Sequence, residues 1–349
     1  MIRRRFLVVT LILVVAMLGG VASVFAQGGG TQLGPITQRI LDRGELLCGA
    51  NANLPGFGVV NEAGEFSGMD IDICRAVAAA VLGDANAVSF RPLTGAERQA
   101  AIQGGEIDIM SRNTTFTLSR DTTWGAIFAP TTFYDGQGVM TRAELGAASL
   151  ADLDGGAMCV QSGTTTELNI TDAITKAGLD IEIVVFPDAP TTWEGYLSGR
   201  CDAWTTDKSG LLAYQATAED PGAHVILPDT LSKEPLGPLT PQSDPQFAEI
   251  VAWTIYGMIE AEEQGITSEN IDEFMDSEDP VIQRLLGLND NPSGSYLGIA
   301  NNFVEVVIRQ VGNYGEVFER NLGVPPFNLA RGINDLWTRG GLLYAPPFR

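Results

Sequence analysis

The chain has 349 residues, with 43 acidic side chains against 21 basic ones and a formal net charge of −22. So large an acidic excess repels polyanions and argues against nucleic acid and anionic lipid as partners, while saying little about a small ligand, which meets only local charges. The length exceeds one ordinary hydrophobic core, so two lobes are expected.

At the N-terminus, Met1-Ile2-Arg3-Arg4-Arg5 precedes an apolar run over 6–18 and a small-residue stretch over 19–26. These are the three parts of a secretory signal peptide, with cleavage expected after Ala26. A retained anchor is the competing reading, since 6–26 nearly fills the ~20 residues of a spanning helix, but Gly19, Gly20 and Ser23 weaken its last turns. Cleavage removes Arg3, Arg4 and Arg5 and takes the net charge from −22 to −25. No cysteine precedes Cys48, so no lipid-modified N-terminus is expected. The best later apolar stretch, 250–259, is too short to span a bilayer, and the mature protein is expected to be extracytoplasmic and soluble.

Four cysteines follow, Cys48, Cys74, Cys159 and Cys201, none in a Cys-x-x-Cys pair. In a secreted chain an even count reads as two disulfides; sequence alone allows three connectivities. Keeping each bridge inside one lobe favours Cys48 with Cys74 and Cys159 with Cys201. A metal site has little support, because the single histidine, His224, lies far from any ligand-spaced cluster and precedes an apolar strand.

Strands and helices alternate along the chain. A strand over 46–50 leads to a helix capped by Asp70, whose apolar residues Ile71, Cys74, Val77, Ala78 and Val81 repeat at helical spacing. A strand over 88–90, a helix over 97–103 and a strand over 107–110 complete a parallel α/β lobe. The rhythm returns with strands over 157–160, 181–186, 202–205 and 225–227, separated by helices over 165–177, 192–197 and 209–216. Segments 131–141 and 232–240 are expected to cross between lobes. Two long helices, 246–264 and 301–321, are expected downstream, with Gly265 and Gly323 as stops.

In open parallel sheets ligands bind outside the strand C-termini, and hydroxyl-rich segments fall at such ends here: 111–120, 161–167 and 205–207. Together they offer a cation, Arg120, an anion, Asp207, and neutral donors at Thr115, Thr164 and Thr165. That set suits a free amino acid, whose carboxylate matches the planar arginine fork and whose ammonium matches a carboxylate. A helix beginning near Thr165 adds a positive dipole end. Each residue also has a plainer reading. The threonines and Asp207 are helix-cap types, Arg120 is followed by Asp121 as in a surface ion pair, and Phe57 is either core or an apolar wall of the cleft.

Gly105-Glu106-Ile107-Asp108 through Arg120-Asp121, Tyr134-Asp135-Gly136-Gln137-Gly138, Cys159-Val160-Gln161-Ser162-Gly163-Thr164-Thr165-Thr166-Glu167, Thr205-Thr206-Asp207-Lys208-Ser209-Gly210, Ser232-Lys233-Glu234-Pro235 and Val311-Gly312-Asn313-Tyr314-Gly315-Glu316 carry a resemblance. They look like the general L-amino-acid-binding proteins of ABC importers, in bacterial extracellular solute-binding protein family 3. The resemblance implies an α/β, two-lobed type II periplasmic-binding fold, with a ligand cleft between lobes joined by two crossover strands and a C-terminal helical extension. It divides the chain into a signal peptide over 1–26, a first lobe over 27–137 and 234–349, and a second lobe over 138–233. It implies hinge closure on a free L-amino acid and docking on a permease. Arg120 would grip the α-carboxylate with Thr115 and Thr165, Asn113 would contribute from the same loop, and Asp207 would take the α-ammonium. Leu54 and Gly95 stand where many relatives carry stacking aromatics, which fits a broader ligand range. No cofactor, metal or catalytic residue is expected, and a monomer is. The alternatives are a secreted dehydratase-like enzyme, for which the segments offer neither histidine nor free cysteine as acid or base, and a sensory receptor subunit.

Overall fold

The computed structural model describes residues 33–349; the signal peptide expected over 1–26 lies outside the described residues. Two sheets organise the molecule. The first runs Val88–Pro92, Leu46–Ala50, Ile109–Met110, Leu239–Pro241, Ala126–Phe128, with its first two pairings parallel and its last two antiparallel. The second runs Glu182–Phe186, Ala157–Gln161, Ala203–Asp207, Phe133–Arg142, His224–Ile226. Its parallel half is built on Ala157–Gln161, whose apolar run is buried almost throughout, as in a strand covered on both faces. Each sheet with its helices is one lobe.

The lobes are joined by a two-stranded antiparallel ribbon. Lys233–Leu236 pairs with the first half of Phe133–Arg142, in the register Lys233 with Gly136 and Leu236 with Phe133. These are the two crossover strands expected from the sequence. His224 enters its strand as expected; its Nδ1 lies 2.9 Å from the Tyr196 hydroxyl.

Helix bounds follow from caps. Thr165–Ala177 starts at Thr164, whose side chain accepts from Glu167 N, and stops at Gly178 in the left-handed conformation. The helix Met69–Leu82 corrects one expectation. Asp70 is not its cap: the N-cap is Gly68, with φ of 131°, and a Cβ there would meet the Phe57 carbonyl oxygen at 2.2 Å. This helix is buried nearly all round because the C-terminal helices Pro245–Glu263 and Phe303–Val311 cover the side the sheet leaves open.

The long helix expected over 301–321 is broken. Phe303–Val311 ends where Gly312 adopts φ of 91° and ψ of 175°, and Asn313 then caps Tyr314–Phe318 through a capping box with Glu316. Three further features escaped the periodicity: a small sheet of Asn53–Leu54, Gly58–Val60 and Phe66–Ser67, and the short helices Pro35–Arg43 and Pro280–Leu286. Beyond them the tail returns to the ribbon. Asn334 accepts from Tyr134 N at 2.6 Å and donates to Tyr134 O at 3.0 Å, while the Tyr314 hydroxyl donates to Thr132 O at 2.6 Å. Arg331 holds this tail by two 3.1 Å bonds to Glu262 and by stacking over Tyr314 and Phe318.

Both disulfides form within lobes, Cys48–Cys74 and Cys159–Cys201, at sequence separations of 26 and 42. Loop-closure entropy makes them worth about 3.5 and about 4 kcal/mol. Urea denaturation of the Cys48→Ala/Cys74→Ala and Cys159→Ala/Cys201→Ala proteins should show losses of that order, the second slightly larger.

Candidate functional site

The loop carrying Asn113, Thr115 and Arg120 is fixed from two sides. Asp70, 5% exposed, accepts from Asn113 N at 2.7 Å and from the Ser111 hydroxyl at 3.1 Å, holding Asn113 at φ of 31°. On the other side the loop pairs with the second crossover strand, where Phe116 N donates to Pro235 O at 2.8 Å and Gly237 N to Thr114 O at 3.1 Å. Thr117 caps the short helix Leu118–Thr123, which presents Arg120.

Arg120 is 6% exposed and forms no ion pair among the described residues. One Nη donates to Thr115 O at 3.0 Å and the guanidinium lies 5.2 Å from the Trp124 ring centroid. The surface pairing with Asp121 therefore does not occur. Burial draws the Arg120 pKa below the ordinary arginine range, with the charges of Glu234 and Asp207 opposing.

From the second lobe, Asp207 ends the strand Ala203–Asp207 and is also 6% exposed. It precedes the helix Lys208–Ala216 without capping it through its side chain. Burial pushes its carboxyl well above the ordinary range, reinforced by the like charges of Asp135 and Glu234 and opposed by Asn113 and Arg98. Thr165 completes the junction. Its hydroxyl lies 3.2 Å from that of Thr115 in the first lobe and donates to Glu234 at 2.9 Å.

Thr164 is turned to capping: its hydroxyl accepts from Glu167 N and donates to Gln161 O at 2.7 Å. Phe57 is drawn into the core, 1% exposed and edge-on to Phe133 at 5.1 Å. It packs beneath the site and not among its polar groups, which corrects the cleft-wall reading. Asn113, Thr115, Arg120, Thr165 and Asp207 are brought to one place.

Five further charged residues stand at the same place, four of them without an expected role and Asp70 expected only as a helix cap. Arg98, 2% exposed, donates to Gly95 O in its own lobe and to Gly163 O in the other, at 3.0 and 3.1 Å. Arg112 is 5% exposed. Glu234, 1% exposed in the crossover strand, also accepts from Asn169 Nδ2 at 2.9 Å and from Ser232. Asp135, in the other crossover strand, accepts from Ser209 N at 3.2 Å and from the Ser209 hydroxyl, and its carboxyl is pushed up to about 6 by burial. Asp70 likewise rises to about 6 through burial. For Arg112, Asp135 and Glu234 the available signal was a charge inside a lobe-crossing or strand-end segment; Arg98 and Asp70, each in the first turn of a helix, offered none. At Gly95 the lobes meet closely enough that a Cβ would stand 2.9 Å from Ser162 O, so no aromatic ring lines this part of the cleft.

Buried opposite charges on two lobes, with the lobes in contact around them, define a ligand-binding protein of the type II periplasmic class. The chain belongs to the bacterial extracellular solute-binding proteins, family 3, whose sequence pattern it matches over residues 46–270. It is 47% identical over 330 residues to a general L-amino acid-binding periplasmic protein of Rhizobium johnstonii, covering 94% of this chain and 97% of that protein. It is 45% identical to a glutamate/glutamine/aspartate/asparagine-binding protein of Rhodobacter capsulatus, covering 88% and 91%. Among solved structures, an ABC transporter periplasmic binding protein from Brucella ovis with glutathione bound superposes with a TM-score of 0.87 at 45% identity, covering 90% of this chain and 99% of that one. The family and these relatives are binding proteins, and the chain is not an enzyme.

The raised carboxyl of Asp207 has a measurable sign. A cation bound beside it stabilises the charged form, so binding should release a proton below the raised pKa, and affinity should fall as the pH is lowered through it toward the ordinary carboxylate range. Calorimetry in buffers of different ionisation heat should detect the proton, and Asp207→Asn should remove it.

Proposed function

We propose that this protein is the extracytoplasmic receptor of an ABC importer, capturing free L-amino acids with broad specificity by hinge closure and delivering them to a membrane permease. The supporting observation is the pair Arg120 and Asp207: both 6% exposed, borne on different lobes, neither in an ion pair among the described residues. Burying either alone costs several kcal/mol, so a guest supplying one carboxylate and one ammonium relieves both. In this reading Arg120 takes the α-carboxylate, with Thr115, Thr165 and the N-terminus of Thr165–Ala177 around it, Asn113 contributes from the same loop, and Asp207 takes the α-ammonium. Thr164 supports the shell as the helix cap.

The 47% identity to a general L-amino acid-binding relative supports both the ligand class and its breadth. The reading includes a signal peptide over 1–26 cleaved after Ala26, lobes over 27–137 with 234–349 and over 138–233, and a monomeric receptor. Glutathione in the Brucella ovis structure favours a second ligand class, since a γ-glutamyl group carries the same α-carboxylate and α-ammonium.

Removing the arginine leaves a ligand carboxylate without its partner. Arg120→Ala should weaken L-amino acid binding by about 30- to 1000-fold. Titration calorimetry with a panel of free amino acids tests this, and an unchanged affinity overturns the assignment of the site.

A further inference from the structure

A free amino acid brings one α-carboxylate, yet the first lobe buries more than one unpaired cation. Arg112 is 5% exposed and, like Arg120, forms no ion pair among the described residues. Its Nε donates to Leu93 O at 2.7 Å and one Nη makes a long contact of 3.4 Å with Asn113 Oδ1, which leaves the other Nη without a partner among the described residues. Arg112 lines a cavity of about 180 Å³ between the lobes, with Asn51, Asn53 and Thr94 from the first lobe and Gln161 from the second.

This cavity adjoins the charged site. Asn113 touches Arg112 and also faces Asp207, and Arg112 feels first the charge of buried Asp70, outside ion-pair distance, and then those of Arg120, Asp207 and Glu97. Two carboxylates line it as well, but both are already engaged. Glu97 accepts from Thr94 N and Oγ1, each at 2.7 Å, and Asp188 accepts from Thr191 N at 2.9 Å and Oγ1 at 2.7 Å as a helix cap. Neither forms an ion pair with Arg112. Asn51 and Gln161 add neutral amides, which suit an oxygen-bearing group better than an alkyl chain.

We infer that Arg112 is a specificity-determining residue, whose guanidinium receives a side-chain carboxylate or carboxamide of the bound amino acid, so that acidic amino acids and their amides are the preferred ligands. The charge of Asp70, not in contact with the guanidinium, offsets its desolvation only in part, and a terminal carboxylate or amide oxygen satisfies the free Nη where an alkyl terminus leaves it unmet. Breadth is retained because the α-groups are held elsewhere, by Arg120 and Asp207. The inference rests on the amino-acid-receptor reading and refines it.

The test is a comparison of ligand ratios in the full-length mature protein, using L-glutamate, L-glutamine and L-norvaline, which has a similar chain without the terminal oxygens. The wild-type protein should bind L-glutamate and L-glutamine about 10- to 100-fold more tightly than L-norvaline. Arg112→Met should collapse that ratio toward one, and Arg112→Lys should retain part of it, with circular dichroism and thermal melting reporting whether each variant folds. Wild-type protein that binds norvaline as tightly as glutamate overturns the inference, as does Arg112→Met weakening all three ligands by the same factor, which marks Arg112 as structural. Should both variants fail to fold, the wild-type ratio alone decides. A wild-type protein that binds none of the three, nor any other free amino acid, refutes the amino-acid-receptor reading instead.

Discussion

The molecule is organised around charges that water has been taken away from without an ion-pair partner among the described residues being given in return. Arg120 and Asp207 are each nearly inaccessible, each raised in energy by burial, and each anchored on a different lobe. Within one lobe such a group would be a defect; between two lobes, in the proposed receptor, it is a reason for a zwitterion to bind and for the lobes to stay together once it has. Only the closed arrangement gives a ligand both counter-charges at once, and this differential interaction is what can shift an open-closed equilibrium. Asp135 and Glu234 sharpen the effect, because their like charges make Asp207 still less content without a cation.

The scaffold's task is then to keep those groups from satisfying one another prematurely. Asp70 ties down the backbone of Asn113, the second crossover strand ties down Thr114 and Phe116, and Thr115 O occupies one nitrogen of Arg120. Each of these bonds fixes a direction, and the other guanidinium nitrogens of Arg120 have no hydrogen-bond partner among the described residues. The close passage at Gly95 and Ser162, together with Arg98 reaching Gly163 O, closes that space from one side without placing a bulky side chain in it.

Much of this was legible in the residues. Where a segment carries its own start and stop, as in Thr164 through Gly178, or a continuous apolar run such as that of Ala157–Gln161, local chemistry decides the element and its limits. That Arg120, Thr115, Thr165 and Asp207 come together was legible for a related reason, since strand-end segments of open α/β sheets converge on one side of the sheet. What stayed hidden depends on contacts far apart in the chain. Asp70 looks like a cap until Ser111 and Asn113, 41 and 43 residues away, arrive at its oxygens. Glu234 looks like a strand charge until Thr165 reaches it across 69 positions. Phe303–Val311 reads on into a longer helix because its apolar period continues; only the extended backbone at Gly312 interrupts it.

The clamp that Asn334 places on Tyr134 bears on the mechanics of closure. A strand gripped at both its N–H and C=O by a side chain cannot rotate freely there, and Tyr314 secures Thr132 just before it. If the lobes open by twisting the ribbon, torsion there falls on the ladder after Tyr134, where Asp135 pairs with Glu234 and Gly136 with Lys233. The segment around Asn334 thus acts like a vice on one end of that ladder, fixing where any winding of it can begin.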